Sequence, residues 1–317
     1  VLLVDTAGEE GIGGVCLNVG CIPSKALIEL AHLHDNASHA QSMGLKCSGV
    51  EVDLAAFQLW KAGIIENLTR GVKTALKRAK VEIRRGHFRL LGAHSGVIND
   101  HEGGAQFVDF KGVVLATGSS PVALDALPVD GERVVDSTGA LAFEALPKSL
   151  AVVGAGYVGV ELGTAFAKLG VPVTLIEATG QLLPGMDSHL VRAVSRRMTQ
   201  LGVQTLINAR VVSLSDAGLH VERQDGTEEV LADRIIVAVG RRPNTANLGL
   251  EDVDVEVLPS GHLQVDSQRL VRPPSIAAIG DITLGPALAH KAIAEARVAV
   301  DALAGKPAAF EPECIPA

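Results

Sequence analysis

The chain has 317 residues, which is enough for two domains of ordinary size, each able to bury its own core. Its 28 Lys and Arg residues are outnumbered by 36 Asp and Glu, giving a net charge of −8, and no dense basic segment offers the surface that nucleic-acid binding needs. The four cysteines are too few for a secreted disulfide scaffold, so a reducing compartment is expected, in which any disulfide has a redox task.

The first predicted element is an apolar strand at residues 1–5, which opens the chain with no initiator Met. We therefore expect the natural amino terminus to lie further upstream, so a missing targeting segment proves little. A Gly-rich loop is predicted at 8–14, followed by a helix that starts near Ile22 and has Pro23 in its first turn. The expected location is the cytoplasm of a bacterium, with the mitochondrial matrix left open.

The remaining predicted elements alternate between strands and helices. In chain order they are a helix at 54–80, a strand at 108–117, a strand from Leu150, a helix ending at Lys168, strands at 173–176 and 234–239, a turn at 240–244, a strand at 277–281 and a helix at 288–304. Alternation of this kind indicates a parallel sheet, so the predicted fold class is α/β. The apolar runs are far shorter than the roughly 18 to 20 residues that cross a bilayer, and no membrane association is expected.

Two cysteines, Cys16 and Cys21, lie in the segment GGVCLNVGCIPSK at 13–25. They are too far apart to face each other on a regular helix, but they can bridge if the first lies in a loop and the second at the start of a helix. A helix amino terminus and Lys25 stabilise a thiolate, so Cys21 is expected to have the lower pKa. The spacing alone leaves open two buried small residues or half of a metal site. No second cysteine pair completes such a site, since Cys47 and Cys314 stand alone, and no metal is expected.

A glycine pattern, GAGYVG at 154–159, directly follows a predicted strand and opens a helix, and Glu177 ends the next strand. Such glycines admit a pyrophosphate to the helix start, while the acid takes the ribose hydroxyls. A glycine turn that merely packs is the alternative. Glu177 would repel a 2′-phosphate, and Ala178 and Thr179 follow it without an arginine to receive one, so NAD is favoured over NADP. Arg241 and Arg242 lie at a different strand end and do not change this.

The segment at 13–25 resembles the redox-disulfide segment of the pyridine nucleotide-disulfide oxidoreductases, in their lipoamide branch. The resemblance implies FAD and NAD as cofactors, a homodimer, and oxidation of protein-bound dihydrolipoamide by NAD⁺ through a Cys16–Cys21 disulfide. Cys16, expected to be the more exposed sulfur, would form the mixed disulfide with substrate, and Cys21 would pass electrons to the flavin. Lys25 and Glu161 would form a buried pair beside the flavin, with a purely structural pair as the alternative.

The resemblance also assigns residues to the two cofactor sites. The FAD set is Asp5, Gly13, Gly14, Cys16, Lys25, Gly86, Ala116, Thr117, Gly118, Gly280, Asp281 and Ala289. The NAD set is Gly154, Gly156, Tyr157, Val158, Gly159, Glu161, Glu177, Val211 and Gly240. Asp5 is expected to bond the adenosine ribose and Asp281 the flavin ribitol, whereas Tyr157 could equally be a core residue.

The implied architecture is two Rossmann-like three-layer domains, with an NAD domain at 148–272 inserted into an FAD domain at 1–147 and 273–306. Residues 307–317 would begin a dimerisation domain. The family's first FAD strand with its glycine turn, and its catalytic His–Glu pair, are expected outside the chain, so this polypeptide by itself is not expected to oxidise dihydrolipoamide. His290 and Glu295 reproduce the spacing of that pair, but residues five apart on a helix point about 140° from each other, and we do not assign them.

The expected partners are lipoyl domains of 2-oxoacid dehydrogenase or glycine cleavage complexes. Two alternatives stay open at this point: another disulfide oxidoreductase of the same family, similar to mercuric reductase, and a non-catalytic NAD-binding fragment.

Overall fold

The structure is a computed structural model that describes residues 1–100 and 102–316; His101 and Ala317 lie outside the described residues. Contacts between Cα atoms divide the chain into two compact units. Unit 1 comprises Val1–Cys16, Thr69–Ser120 and the described residues from Arg241 onward, and unit 2 comprises Leu17–Leu68 and Pro121–Gly240. The domain boundaries predicted from the sequence stay predictions.

The strands, in chain order, are β1 (Leu2–Asp5), β2 (Glu82–Arg85), β3 (His87–Gly92), β4 (Ser95–Asn99), β5 (Ala105–Asp109), β6 (Val113–Leu115), β7 (Ser119–Pro121), β8 (Val134–Val135), β9 (Leu150–Val153), β10 (Val173–Ile176), β11 (Gln204–Leu206), β12 (Arg210–Leu214), β13 (Gly218–Arg223), β14 (Gly226–Leu231), β15 (Arg234–Val237), β16 (Arg241–Pro243) and β17 (Ile276–Ala278). The α-helices are α1 (Gly14–Asn18), α2 (Cys21–His39), α3 (Leu54–Arg78), α4 (Ser137–Ala140), α5 (Tyr157–Lys168), α6 (Ser188–Gln200) and α7 (Ala289–Leu303). Short 3-10 turns occur at Gly8–Gly11, Ala40–Met43, Leu250–Val253 and Gly280–Ile282.

Unit 2 is built on a five-stranded parallel sheet with the order β11-β10-β9-β15-β8. Every residue of the central strand β9 is buried, and its side chains alternate between two cores. Leu150 and Val152 pack into one core, and Ala151 and Val153 into the other. A strand covered on both faces reads as a continuous apolar run, which is why this one was visible in the sequence. The predicted α/β class with parallel sheets is confirmed.

Helices α2, α5 and α6 cover one face of this sheet. Asp187 caps α6 by accepting the His189 backbone N–H at 2.7 Å, and Val191 and Met198, seven residues apart, bury the same face of that helix. The antiparallel sheet β12-β13-β14 contributes Leu219 and Val221 to the core on the other face. Unit 2 therefore has helices on one side of its sheet and a small sheet on the other.

One helical stretch, Gly14–Met43, is long and apolar enough to cross a membrane by length and composition alone. Core helices of folded proteins often meet the same test. Ala26, Leu27 and Ala31 of this stretch belong to the same buried cluster as Leu162 and Phe166 of α5. The α2 part of the stretch therefore packs within unit 2, and the composition of the stretch is weak support for a membrane span.

Unit 1 contains the parallel strand pairs β1–β2 and β6–β17 and the antiparallel sheet β3-β4-β5. Ile276 and Ala278 of β17 face one buried cluster, which includes Leu90 of β3. Ala277 lies in another cluster, together with Ala299 of α7. The β6–β17 pair is thus covered by α7 on one side and by the region around β3 on the other.

Three predicted elements are corrected. The single strand at 108–117 is wrong: β5 pairs antiparallel with β4 and β6 parallel with β17, so the chain changes sheets at Lys111 and Gly112. The turn at 240–244 contains strand β16, which pairs with β7. The strand at 277–281 ends at Ala278, because the chain then closes the 3-10 turn Gly280–Ile282.

Candidate functional site

The two cysteines of the redox segment lie at consecutive helices. Cys16 is in α1, a single helical turn rather than the predicted loop, and Cys21 is the first residue of α2. The disulfide between them stays a prediction. Cys21 is exposed and Cys16 only partly so, which corrects the expected order. A side chain in a helix points toward the preceding turn of that helix. Cys21 is the first residue of α2, so no preceding turn covers its side chain.

Lys25 of α2 and Glu161 of α5 form the expected ion pair. The Lys25 Nζ donates to both carboxylate oxygens of Glu161 at 2.8 Å. The pair is not buried as expected, because the side chains are 60% and 37% exposed. Exposed pairs contribute about 0–1 kcal/mol to stability, so the fold gains little from this one. Its main effect is to hold a cation four residues beyond Cys21.

The glycine turn of unit 2 connects β9 to α5, and each of its three glycines has a different environment. A Cβ on Gly154 would lie 2.4 Å from the Ala238 carbonyl oxygen, and one on Gly159 would lie 1.9 Å from the Gly154 carbonyl oxygen. A Cβ on Gly156 would meet nothing within 4 Å. The first and third glycines therefore allow close packing, while the second leaves the backbone open to a ligand at the start of α5, as dinucleotide-binding turns require.

Glu177 follows β10 at the same edge of the sheet. It is 7% exposed, and its carboxylate accepts the Ala155 N–H at 2.7 Å and the Thr179 N–H at 2.8 Å. A carboxylate has about four acceptor positions, so two remain for ribose hydroxyls. The first bond joins Glu177 directly to the glycine turn, and the acid and the turn are therefore held in one arrangement.

The other residues of the predicted NAD set are more scattered. Gly240 follows β15, the neighbour of β9, and so lies at the same sheet edge as Gly154. Tyr157 begins α5 and is 51% exposed, so the alternative of a core role is wrong. Val158 packs partly against the core, and Val211 lies in β12, a strand of the smaller sheet.

In unit 1 the parallel strands β6 and β17 bring two predicted flavin segments to one edge. The Ile279 N–H donates to the Leu115 carbonyl at 3.0 Å, so Ala116, Thr117 and Gly118 lie beside Gly280 and Asp281. The link continues through side chains, because the Ser119 hydroxyl donates to Asp281 Oδ2 at 2.6 Å. Ala289 begins α7, which follows the same edge.

A buried charged cluster that the sequence did not reveal holds the turn at Gly280. Glu295, fully buried, accepts the Gly280 N–H at 2.7 Å, and Lys291, 2% exposed, donates to the Gly280 carbonyl at 3.0 Å. Arg269 also donates to Glu295 at 3.1 Å. A Lys and a Glu four residues apart in an apolar helix were the available signal. Glu295 thus has a structural task, and His290 is exposed and bonds the Pro316 carbonyl, so the structure agrees with leaving this pair unassigned.

The predicted adenosine side of the flavin site lies at the end of β1. Asp5 accepts the Ala7 N–H at 2.8 Å, and its backbone carbonyl accepts the Gly86 N–H at 3.0 Å. A Cβ on Gly86 would lie 2.8 Å from the Asn99 carbonyl, so packing alone already requires this glycine. Gly13 and Gly14 have φ angles of 101° and 62°, conformations that favour glycine, and they lead directly into α1.

These donor sets fit two nucleotide ligands. Acids stand at the strand ends where ribose or ribityl hydroxyls need acceptors, and an open glycine backbone stands at a helix start where a pyrophosphate needs N–H groups. Within residues 1–100 and 102–316, no group of three or more His, Cys, Asp and Glu side chains could hold a metal ion.

Comparison with known proteins extends these observations. Residues 1–296 match the family described as pyridine nucleotide-disulphide oxidoreductase. The dihydrolipoyl dehydrogenase of Geobacillus stearothermophilus is 43% identical over an alignment of 324 residues, gaps included, which covers 98% of this chain and 67% of that protein. The dihydrolipoyl dehydrogenase of Bacillus subtilis is 43% identical over 319 residues, covering 99% and 67%. Among solved structures, LpdA from Mycobacterium tuberculosis superposes with a TM-score of 0.89 at 27% identity, covering 98% of this chain and 68% of that one.

Proposed function

Since the chain belongs to the pyridine nucleotide-disulphide oxidoreductase family, we propose that it acts as a dihydrolipoyl dehydrogenase, oxidising protein-bound dihydrolipoamide with NAD⁺ through FAD and a cysteine pair. The observation that carries this is the position of Cys21 as the first residue of α2, five residues after Cys16, in a chain 43% identical to dihydrolipoyl dehydrogenases over nearly its whole length. The chain spans about two thirds of those relatives.

The cysteine pair would work by thiol–disulfide exchange. A thiolate of dihydrolipoamide attacks the Cys16 sulfur of the oxidised pair, the Cys16–Cys21 bond breaks, and Cys21 leaves as a thiolate. The second substrate thiol then attacks the lipoyl sulfur of the mixed disulfide, and its proton passes to the departing Cys16 sulfur, which closes the lipoamide ring and releases Cys16 as a thiol. Two electrons have moved from substrate to the cysteines. Cys21 is the first residue of α2, where the positive end of the helix dipole lies.

The cofactor residues serve binding and orientation. When bound, FAD would accept two electrons and NAD⁺ would accept a hydride. Asp281 and the turn at Gly280 would hold the flavin side of the site, and the glycine turn with Glu177 would hold NAD. Lys25, held by its bonds to Glu161, places a positive charge about one helical turn from Cys21.

We further propose that the full-length protein is a homodimer in the bacterial cytoplasm and that its substrate is carried on lipoyl domains of a 2-oxoacid dehydrogenase or glycine cleavage complex. The dehydrogenase relatives support the complex and the dimer. The low cysteine count and the redox task of the pair support a reducing compartment.

The test is dihydrolipoamide-dependent formation of NADH by the full-length protein. Cys16→Ser should abolish it, while Cys47→Ser, which changes an exposed cysteine outside the pair, should leave it intact. Glutathione disulfide and Hg²⁺ with reduced nicotinamide serve as rival substrates. Faster turnover of either rival, or normal lipoamide turnover by Cys16→Ser, would overturn the proposal.

A further inference from the structure

Arg241, which the NAD site does not use, is bonded to the predicted flavin site instead. Its Nε donates to the Ser119 hydroxyl at 2.7 Å, and its Nη2 donates to the Ser119 carbonyl oxygen. Ser119 is 5% exposed, and its hydroxyl donates to Asp281 Oδ2 at 2.6 Å. Arg241 and Asp281 are thus joined through one buried serine.

The direction of these bonds follows from their chemistry. A guanidinium can only donate, so the Ser119 oxygen must accept from Arg241. The single hydroxyl hydrogen is then left for Asp281. Arg241 therefore fixes the orientation of the Ser119 hydroxyl, and the hydroxyl fixes one oxygen of the Asp281 carboxylate, which keeps further acceptor positions for a ligand hydroxyl.

Asn244, three residues after Arg241, secures the same loop. Its backbone N–H donates to the Gly118 carbonyl at 2.9 Å and its side-chain amide to the Thr117 carbonyl at 3.0 Å, while the Thr117 hydroxyl donates to the Asn244 carbonyl at 2.6 Å. The segment that begins at Arg241 is therefore hydrogen-bonded to the loop that contains the predicted flavin contacts Ala116, Thr117 and Gly118. The neighbouring Arg242 is exposed and has no such bonds among the described residues.

We propose that Arg241 is a positioning residue for flavin: through Ser119 it holds the Asp281 carboxylate in the orientation that accepts a ribityl hydroxyl. This inference rests on the proposed function, because it takes FAD as the ligand of Asp281. It also gives Arg241 a task other than receiving the 2′-phosphate of NADP, since its Nε and Nη2 both serve Ser119.

The experiment measures FAD affinity of the full-length protein after removal of bound flavin, by titration with FAD and flavin fluorescence. Arg241→Met is compared with Arg242→Met, which removes the same charge one residue away. Arg241→Met should weaken FAD binding about ten- to hundredfold, because an oriented hydrogen bond to a charged group has energies on that scale. Arg242→Met should change it by less than about twofold.

Two further variants separate positioning from a general loss of folding. Ser119→Ala should weaken FAD binding as much as Arg241→Met, and the double variant should add little, since the two residues act in series. Arg241→Lys should recover part of the affinity, because an ammonium can reach one of the two Ser119 oxygens. Urea unfolding of each flavin-free variant shows whether the fold is retained, and Ser119→Ala carries the test if Arg241→Met does not fold.

Equal loss in both arginine variants, unchanged FAD affinity in Arg241→Met, or additive losses in the double variant would overturn the inference. If the unaltered full-length protein bound no FAD, the proposed function would fail instead.

Discussion

The preference for NAD over NADP rests on Glu177, and Glu177→Gln tests it with the least change of shape. The carboxylate is 7% exposed and stands beside the glycine turn, so a 2′-phosphate at the same ribose would meet a charge that water screens poorly. Two unit charges 4 Å apart interact with about 4 kcal/mol at an effective dielectric of about 20. Since 1.4 kcal/mol is tenfold, we expect the unaltered protein to prefer NAD by about a thousandfold.

Removing the charge should narrow that preference by at least about tenfold. The variant also has a structural cost, because the carboxylate accepts two backbone N–H groups and an amide oxygen can serve only one of them well. An unsatisfied buried N–H costs about 1–3 kcal/mol. That cost affects both cofactors equally, so the ratio of the two dissociation constants, not either constant alone, is the quantity to compare.

The assay is isothermal titration calorimetry of the oxidised protein with NAD and with NADP. Glu222→Gln is the matched control, because it makes the same chemical change at an exposed residue of unit 2. Equal affinity of the unaltered protein for both cofactors, or an unchanged ratio in Glu177→Gln, would refute the assignment of Glu177 to the ribose.

Three other predictions follow from the described contacts. Cys16→Ser should leave a Cys21 thiolate that gives a long-wavelength charge-transfer absorbance with FAD, and Cys21→Ser should not. Glu295→Ala should lower the free energy of unfolding by about 3–5 kcal/mol in urea titrations, because it leaves buried cations unpaired. Burial lowers the pKa of Lys61 below its usual 10.5. Between the lowered pKa and 10.5 the unfolded state binds more protons than the folded state, so the free energy of unfolding should rise with pH in that range. Lys61→Met should remove this rise.

The Glu295 and Lys61 predictions each have a control variant in the chain. For Glu295 it is Asp301→Ala, which breaks an exposed pair between Asp301 of the same helix and Lys306 just beyond its end, and should cost about 0–1 kcal/mol. For Lys61 it is Lys77→Met, an exposed lysine of α3 that should leave the pH dependence unchanged. If only Cys21→Ser gave the charge-transfer absorbance, the roles assigned to the two cysteines would be reversed. If Glu295→Ala and Asp301→Ala lowered the free energy of unfolding equally, the buried cluster would not have the stabilising effect expected of it.

The sequence by itself determined the features that depend on neighbours along the chain. The buried strand β9, the glycine turn and the acid at the end of β10 are visible because a strand covered on both faces is continuously apolar and a tight turn needs glycine. The cysteine segment is equally local, and its thirteen residues already indicated the family. Periodicity and spacing act within a few residues, so these features can be read without knowing what packs against what.

Tertiary structure decided how residues far apart in the chain combine. Lys25 and Glu161 are 136 positions apart, and their pairing followed from family resemblance, but only the packing of α2 on α5 shows that the pair is largely exposed. Arg241 lies 122 positions from Ser119, which lies 162 from Asp281, and no local pattern links the three. Burial and side-chain contact depend on which elements pack together, and that arrangement is set by the whole core rather than by any short segment.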